Sequence, residues 1–392
     1  MKTFLICELK SNISINRRLF GTIMNNPDRR IDKTVGYSFF SSEECLTALH
    51  NIKSSAMPYG IKPVYARFGC PTVWECEAAL AMLHGSKWCV FFPSGMSAID
   101  GAFSSILKKE LNPTCLFLNQ LYPGTLSYAK NVLEEQRGFI IDIKDSSLIN
   151  KEVNIKNSII FAESLTNPLL EPFNFRLLNS IKREFNNIII IDNTIATSIT
   201  CRPLKLGADL VVESIGKYVS GHNTLMAGAV FGNNPETAIK IRQYQKNVGS
   251  ISSPEVASLV MEHLKTYSLR FNKQCENAEL LAFWLNKTKA FKKIHHPSLT
   301  VNNSDCRAAC ITVELDQTSK VKTFSSLLNA LAPKIPLKTS LGSTSTSIMD
   351  VSSYIVKFDA ANQYARISMG IESIDEIISI FSEAINSIVE EN

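Results

Sequence analysis

Short, β-branched apolar runs recur along this chain, and between them apolar residues fall at helical spacing. The runs at 188–191 (Ile-Ile-Ile-Ile) and 209–212 (Asp-Leu-Val-Val) carry almost no polar interruption. A strand wetted on one face alternates, whereas a parallel strand covered on both faces reads as continuous. The same reading predicts strands over 88–92, 115–118, 139–143, 158–162 and 227–231. Between them, Val73, Cys76, Ala79-Leu80 and Leu83 repeat at a helical period and stop before Gly85, predicting a helix over 71–83. Further helices are predicted over 97–107 and 177–185. Strands alternating with helices imply an α/β domain around a mostly parallel sheet. After about residue 250 the pattern changes to long helical stretches at 254–267 and 272–285, strands at 309–315 and 364–368, and an amphipathic helix at 374–390. The expected organisation is an N-terminal arm (1–55), an α/β domain (56–250) and a smaller α+β domain (251–392).

The strand ends carry the candidate chemistry. Asp192 closes one apolar run, and Lys217 follows another through Glu213-Ser214-Ile215-Gly216. Open α/β sheets place ligands at the carboxyl ends of their strands. A lysine and an aspartate there suit pyridoxal phosphate (PLP): the amine forms a Schiff base with the aldehyde, and the carboxylate keeps the pyridine nitrogen protonated. Ser94-Gly95-Met96 sits at a strand-to-helix turn, where free amides bind phosphate. Ser214 adds a hydroxyl, and Tyr122 offers a ring to lie over a flat cofactor.

Composition narrows the function classes. The 41 Lys+Arg against 36 Asp+Glu are spread without a basic block, which argues against nucleic-acid binding. No apolar stretch approaches a membrane span, and Glu8 and Lys10 interrupt any signal-peptide core. The ten cysteines lack paired spacing; even Cys306 and Cys310 have no second pair or His to complete a metal site. Reduced thiols, no metal and a cytoplasmic location are therefore expected.

Six stretches, taken in order, resemble the Cys/Met-metabolism family of PLP enzymes, which includes cystathionine γ-synthase, cystathionine lyases and methionine γ-lyase. They are Tyr65-Ala66-Arg67-Phe68-Gly69-Cys70-Pro71-Thr72; Ser94-Gly95-Met96-Ser97-Ala98-Ile99; Glu163-Ser164-Leu165-Thr166-Asn167-Pro168; Asp192-Asn193-Thr194 running on to Lys217-Tyr218; Ser340-Leu341-Gly342; and Arg366 to Glu372. The resemblance implies a fold-type I architecture, with a seven-stranded, mostly parallel sheet and a smaller C-terminal domain. It implies that Lys217 holds PLP and shuttles protons, Asp192 pairs with the pyridine nitrogen, and Tyr122 stacks and serves as acid or base. Gly95, Met96 and Ser214 would bind the phosphate, with Thr194 also at the cofactor. Tyr65 and Arg67 would reach a neighbouring subunit's phosphate in a homodimer or homotetramer. Arg366 would take the substrate α-carboxylate, helped by Asn167 and Ser340.

The resemblance further implies an amino-acid substrate: a sulfur amino acid or O-acylhomoserine handled by γ-replacement or γ-elimination. A C–S β-lyase, a specialised γ-substituting biosynthetic enzyme and a catalytically degenerate PLP-binding subunit are the alternatives. Departures surround the side-chain pocket. The family's Thr before the lysine is Gly216, its Asn before Pro-Thr is Cys70, and its first Gly after the stacking tyrosine is Pro123. Leu126-Ser127 stands where an Arg is usual, Ser345 where a Glu is usual, and the segment before Arg366 is shorter.

Overall fold

The computed structural model describes residues 21, 23–24, 30–107, 115–118, 120–133, 140–143, 158–176, 178, 187–300, 306–316, 318–321, 323–355 and 363–390. Two sheets organise them. The larger has seven strands: β1 (Trp88–Phe92), β2 (Cys115–Leu118), β3 (Ile140–Ile143), β4 (Ile159–Glu163), β5 (Ile188–Asp192), β6 (Leu210–Glu213) and β7 (Gly228–Gly232). Their spatial order is β1-β7-β6-β5-β4-β2-β3. β6 through β3 run parallel, whereas β7 is antiparallel to both β6 and β1. The smaller sheet, β10-β11-β9-β8, is antiparallel throughout and uses β8 (Lys293–His295), β9 (Cys310–Leu315), β10 (Ser347–Asp350) and β11 (Gln363–Ser368).

Burial explains the unbroken apolar runs. Cys89, Phe91, Ile189, Ile191 and Val211 feed the core on one face of the large sheet. Their neighbours Trp88, Val90, Phe92, Ile190, Leu210 and Val212 feed the core on the other. With both faces covered, neither parity of position can be polar. A third core closes the small sheet against the helix Ile374–Glu390.

The helix Pro71–His84 starts with proline, whose missing N–H costs nothing in a first turn, and stops at Gly85 in the left-handed region. Ser94 caps the helix Gly95–Ile106 by accepting from the Ser97 amide at 3.0 Å.

One expectation changes, one region gains a helix, and one expected helix falls largely outside the described residues. The stretches at 254–267 and 272–285 form one continuous helix, Pro254–Thr288. Its middle inverts the usual pattern, with Leu269 exposed and Arg270 buried. Arg270 is tolerated inside because its guanidinium donates to the carbonyls of Tyr218, Val219 and His263. Within the expected arm, residues Ser42–Ser54 form a helix capped by Ser41. The helix predicted over 177–185 falls largely outside the described residues.

Candidate active site

β4, β5 and β6 are adjacent and parallel, so their carboxyl ends deliver Glu163, Asp192 and the Ser214–Lys217 turn to one rim. A cavity of about 410 Å³ opens there. The helix beginning at Gly95 contributes its amino end, and the loop at 339–341 and the β11 residue Arg366 close it from the small sheet. Of the residues singled out in the sequence, Gly95, Met96, Tyr122, Asn167, Asp192, Thr194, Ser214, Lys217, Ser340 and Arg366 all line this cavity. Tyr65 and Arg67 do not. Tyr65 is exposed, and the Arg67 guanidinium sits 5.5 Å from its ring while donating to the Lys246 carbonyl at 3.4 Å.

A chain of short contacts fixes one wall of the cavity. The Thr194 amide donates to Asp192 Oδ1 at 2.8 Å, and the Ser214 amide donates to Thr194 Oγ1 at 2.9 Å. Burial pushes the Asp192 carboxyl up to about 6; Thr194 opposes the rise and the nearby Glu213 adds to it. Among the described residues no ion pair is made to Asp192. Gly228 is needed beside the Ser94–Gly95 turn, because a Cβ there would fall 2.2 Å from the Ser94 carbonyl oxygen.

The Lys217 amine donates to Ser340 Oγ at 2.9 Å. Burial, with the Arg366 charge nearby, holds it below the ordinary lysine range, so the neutral amine is easier to populate. Burial raises the Tyr122 phenol, which therefore keeps its proton.

Arg366 is buried at 3% exposure. One Nη donates to Asn167 Oδ1 at 2.9 Å and the other to the Thr339 carbonyl at 3.3 Å, while Nε is buried without a partner. A buried guanidinium N–H left unpaired costs free energy unless a ligand supplies an acceptor.

Among the lining residues given no role from the sequence, Glu163 and Tyr354 bear most directly on the site. Glu163 accepts from the Tyr122 amide at 2.7 Å and from the Asn167 amide at 2.8 Å, one carboxylate oxygen for each. It therefore positions two residues that flank the cavity. Its place at a strand end within the Glu163–Pro168 motif was the available signal. Tyr354, in the turn Ser352–Tyr354, stands edge-on to Tyr122 with ring centres 6.3 Å apart and lies 6.0 Å from the Arg366 guanidinium. No periodicity marked it.

These features fit PLP: a carboxylate without a cationic neighbour, a lysine amine held low, and a helix amino end approached closely by a glycine strand. Among the described residues no cluster of three or more His, Cys, Asp or Glu could hold a metal, and the nine described cysteines are free thiols. No described helix is long and apolar enough to cross a membrane.

The family described as Cys/Met metabolism PLP-dependent enzyme matches residues 30–386. A cystathionine beta-lyase of Coxiella burnetii is 32% identical over 241 residues, covering 60% of this chain and 61% of that protein. A cystathionine beta-lyase of Lactococcus lactis subsp. cremoris is 28% identical over 343 residues, covering 82% and 88%. Among solved structures, cystathionine gamma-lyase from Lactobacillus plantarum complexed with L-serine superposes with a TM-score of 0.81 at 22% identity, covering 94% of this chain and 98% of that one.

Proposed function

Since the chain belongs to the Cys/Met metabolism family of PLP-dependent enzymes, we propose that it acts on a sulfur amino acid or an O-acylhomoserine by γ-replacement or γ-elimination. The observation that carries the reading is the meeting of Lys217, Asp192 and Arg366 in one cavity. Together they supply an anchoring amine, a carboxylate for a ring nitrogen and a fork for an α-carboxylate.

When bound, PLP supplies an electron sink that makes the substrate's α-proton removable. The rest falls to the chain. Lys217 would hold the cofactor, and its amine, held low by burial, would take the α-proton and return it further along the substrate. Asp192, kept in place by the Thr194 amide, binds the pyridine nitrogen as a proton-bearing cation. The amides of Gly95 and Met96 and the Ser214 hydroxyl receive the phosphate, since the first amides of a helix have no partner within it. Arg366, braced by Asn167, offers Nε and an Nη as a pair to the substrate carboxylate. Tyr122 keeps its proton, would offer its ring to the cofactor and would donate to a departing group. Ser340 steadies the free lysine amine.

Tyr65 and Arg67 lie outside this cavity, which supports their serving the cofactor phosphate of a neighbouring copy in a dimer or tetramer. Exposed Val35, Phe40 and Leu46 in the same region of chain supply apolar surface for such an assembly.

The test is spectral and chemical. Purified protein given PLP takes on its visible absorption band, and Lys217→Ala loses turnover of every candidate substrate. A wild type that never acquires the band sinks the proposal.

A further inference from the structure

Among the described residues, four formally charged side chains line the cavity: Glu163, Asp192, Lys217 and Arg366. On the reading above, each is already committed. Glu163 has both oxygens on backbone amides. Asp192 and Lys217 face the cofactor, and Arg366 takes the α-carboxylate. None of these four remains for a second charged group at the far end of a substrate, and a neighbouring copy's Arg67, on the reading above, is spent on the phosphate. The rest of the wall is largely apolar or aromatic, with Tyr122, Tyr354, Ile195, Leu225 and Met226.

Tyr354 is anchored in this wall through its backbone. Its carbonyl accepts from Gln120 Nε2 at 2.6 Å, which ties the turn to the large sheet. Its ring lies between the Arg366 guanidinium at 6.0 Å and the Tyr122 ring at 6.3 Å, inclined at 75°. A substrate held by its carboxylate on Arg366 therefore begins its side chain beside this ring.

We propose that this enzyme selects amino acids whose side chain ends uncharged, such as a thioether or a neutral acyl ester, and that Tyr354 is the residue that determines this choice. The inference rests on the cofactor and carboxylate assignments above. A charge set against two phenol rings and aliphatic side chains finds no charged partner among the described lining residues and gives up part of its hydration on entry. A thioether sulfur packs favourably near an aromatic edge.

The experiment uses the PLP-loaded full chain and follows the change in cofactor absorption as amino acids are titrated in, which reads binding without turnover. Methionine and O-acetylhomoserine are compared with cystathionine and O-succinylhomoserine. The wild type is expected to bind the uncharged-ended pair at least tenfold more tightly. Tyr354→Phe keeps that preference because it keeps the ring, whereas Tyr354→Ala brings the two pairs within about threefold. A loaded wild type that binds the charged-ended pair equally well or better overturns the inference, as does one whose absorption responds to no amino acid. A preference unchanged in Tyr354→Ala removes Tyr354 from the role and overturns that half of it. Should Tyr354→Ala fail to load, Tyr354→Gln, which removes the ring but keeps most of the length, takes its place, and a preference unchanged there likewise removes Tyr354 from the role. Failure of the wild type to take up PLP instead sinks the assignments of the preceding subsection, and the absorption band separates the two failures.

Discussion

Replacing Gly342 by alanine should damage the cofactor site through the backbone alone. Gly342 has a φ of +88°, and a Cβ there would stand 2.7 Å from both the Lys217 carbonyl carbon and the Tyr218 nitrogen. Two costs add. Holding a non-glycine residue in the left-handed region costs about 1–2 kcal/mol, and forcing an extra methyl into packed atoms costs about 1–3 kcal/mol. The obstructing atoms are main chain and cannot rotate away. Gly249 is the internal control. It has a φ of +74° at the end of the helix Pro235–Val248, and an added methyl there would meet nothing within 4 Å. Gly249→Ala therefore incurs the first cost and not the second. With an unfolding entropy of about 2 cal/mol/K per residue, the gap of roughly 2 kcal/mol corresponds to about 2–3 °C in melting temperature. Calorimetry on both loaded variants measures it. Equilibrium dialysis should show PLP held about tenfold more weakly by Gly342→Ala alone, because the displaced backbone carries the Lys217 amine. Equal melting shifts and equal cofactor retention in the two variants would refute the reasoning.

Three further outcomes are expected. Arg366→Lys keeps the charge and loses the fork; at about 1.5–3 kcal/mol for a hydrogen bond to a charged group, substrate binding weakens roughly 10–150-fold while the PLP absorption band stays. For protein stripped of PLP, the Asp192 pKa near 6 lies above its ordinary 3.8. The fold then holds a proton that the unfolded chain has released between those values, so the carboxylate lowers stability as pH rises through that window, with the full penalty present above it. Stripped Asp192→Asn should thus melt higher than stripped wild type at pH 7.5 and equal it near pH 4; a gap constant with pH would count against the buried carboxylate. Finally, Gly216→Thr, which restores the family's residue, should weaken PLP retention, since a Cβ at 216 would fall 2.8 Å from the Leu225 carbonyl oxygen. Tighter retention in that variant would show that the 225–227 backbone yields to the side chain.

Much of the large sheet was legible because burial on two faces leaves a simple trace. β1 and β2 begin and end where their apolar runs do, and β5 differs from its run only by adding Asp192. The helix Ile374–Glu390 was equally plain, since one face meets the core and the other does not. Lys217 and Asp192 could be named because each stands where an apolar run ends in a chemically distinctive side chain. The antiparallel course of β7 was not legible, as no residue records strand direction. β8 and β10, at three and four residues, are too short to show a period.

What the linear order determined was therefore the set of buried strands, the lysine and carboxylate at their ends, and the family to which the motifs belong. What only the tertiary structure decided is which groups complete one another across the chain. Arg366 and Asn167 meet from 199 residues apart, and Gln120 and Tyr354 from 234. Hydrogen bonding and ring packing depend on a few ångströms of separation in space, and nothing in sequence spacing encodes that distance.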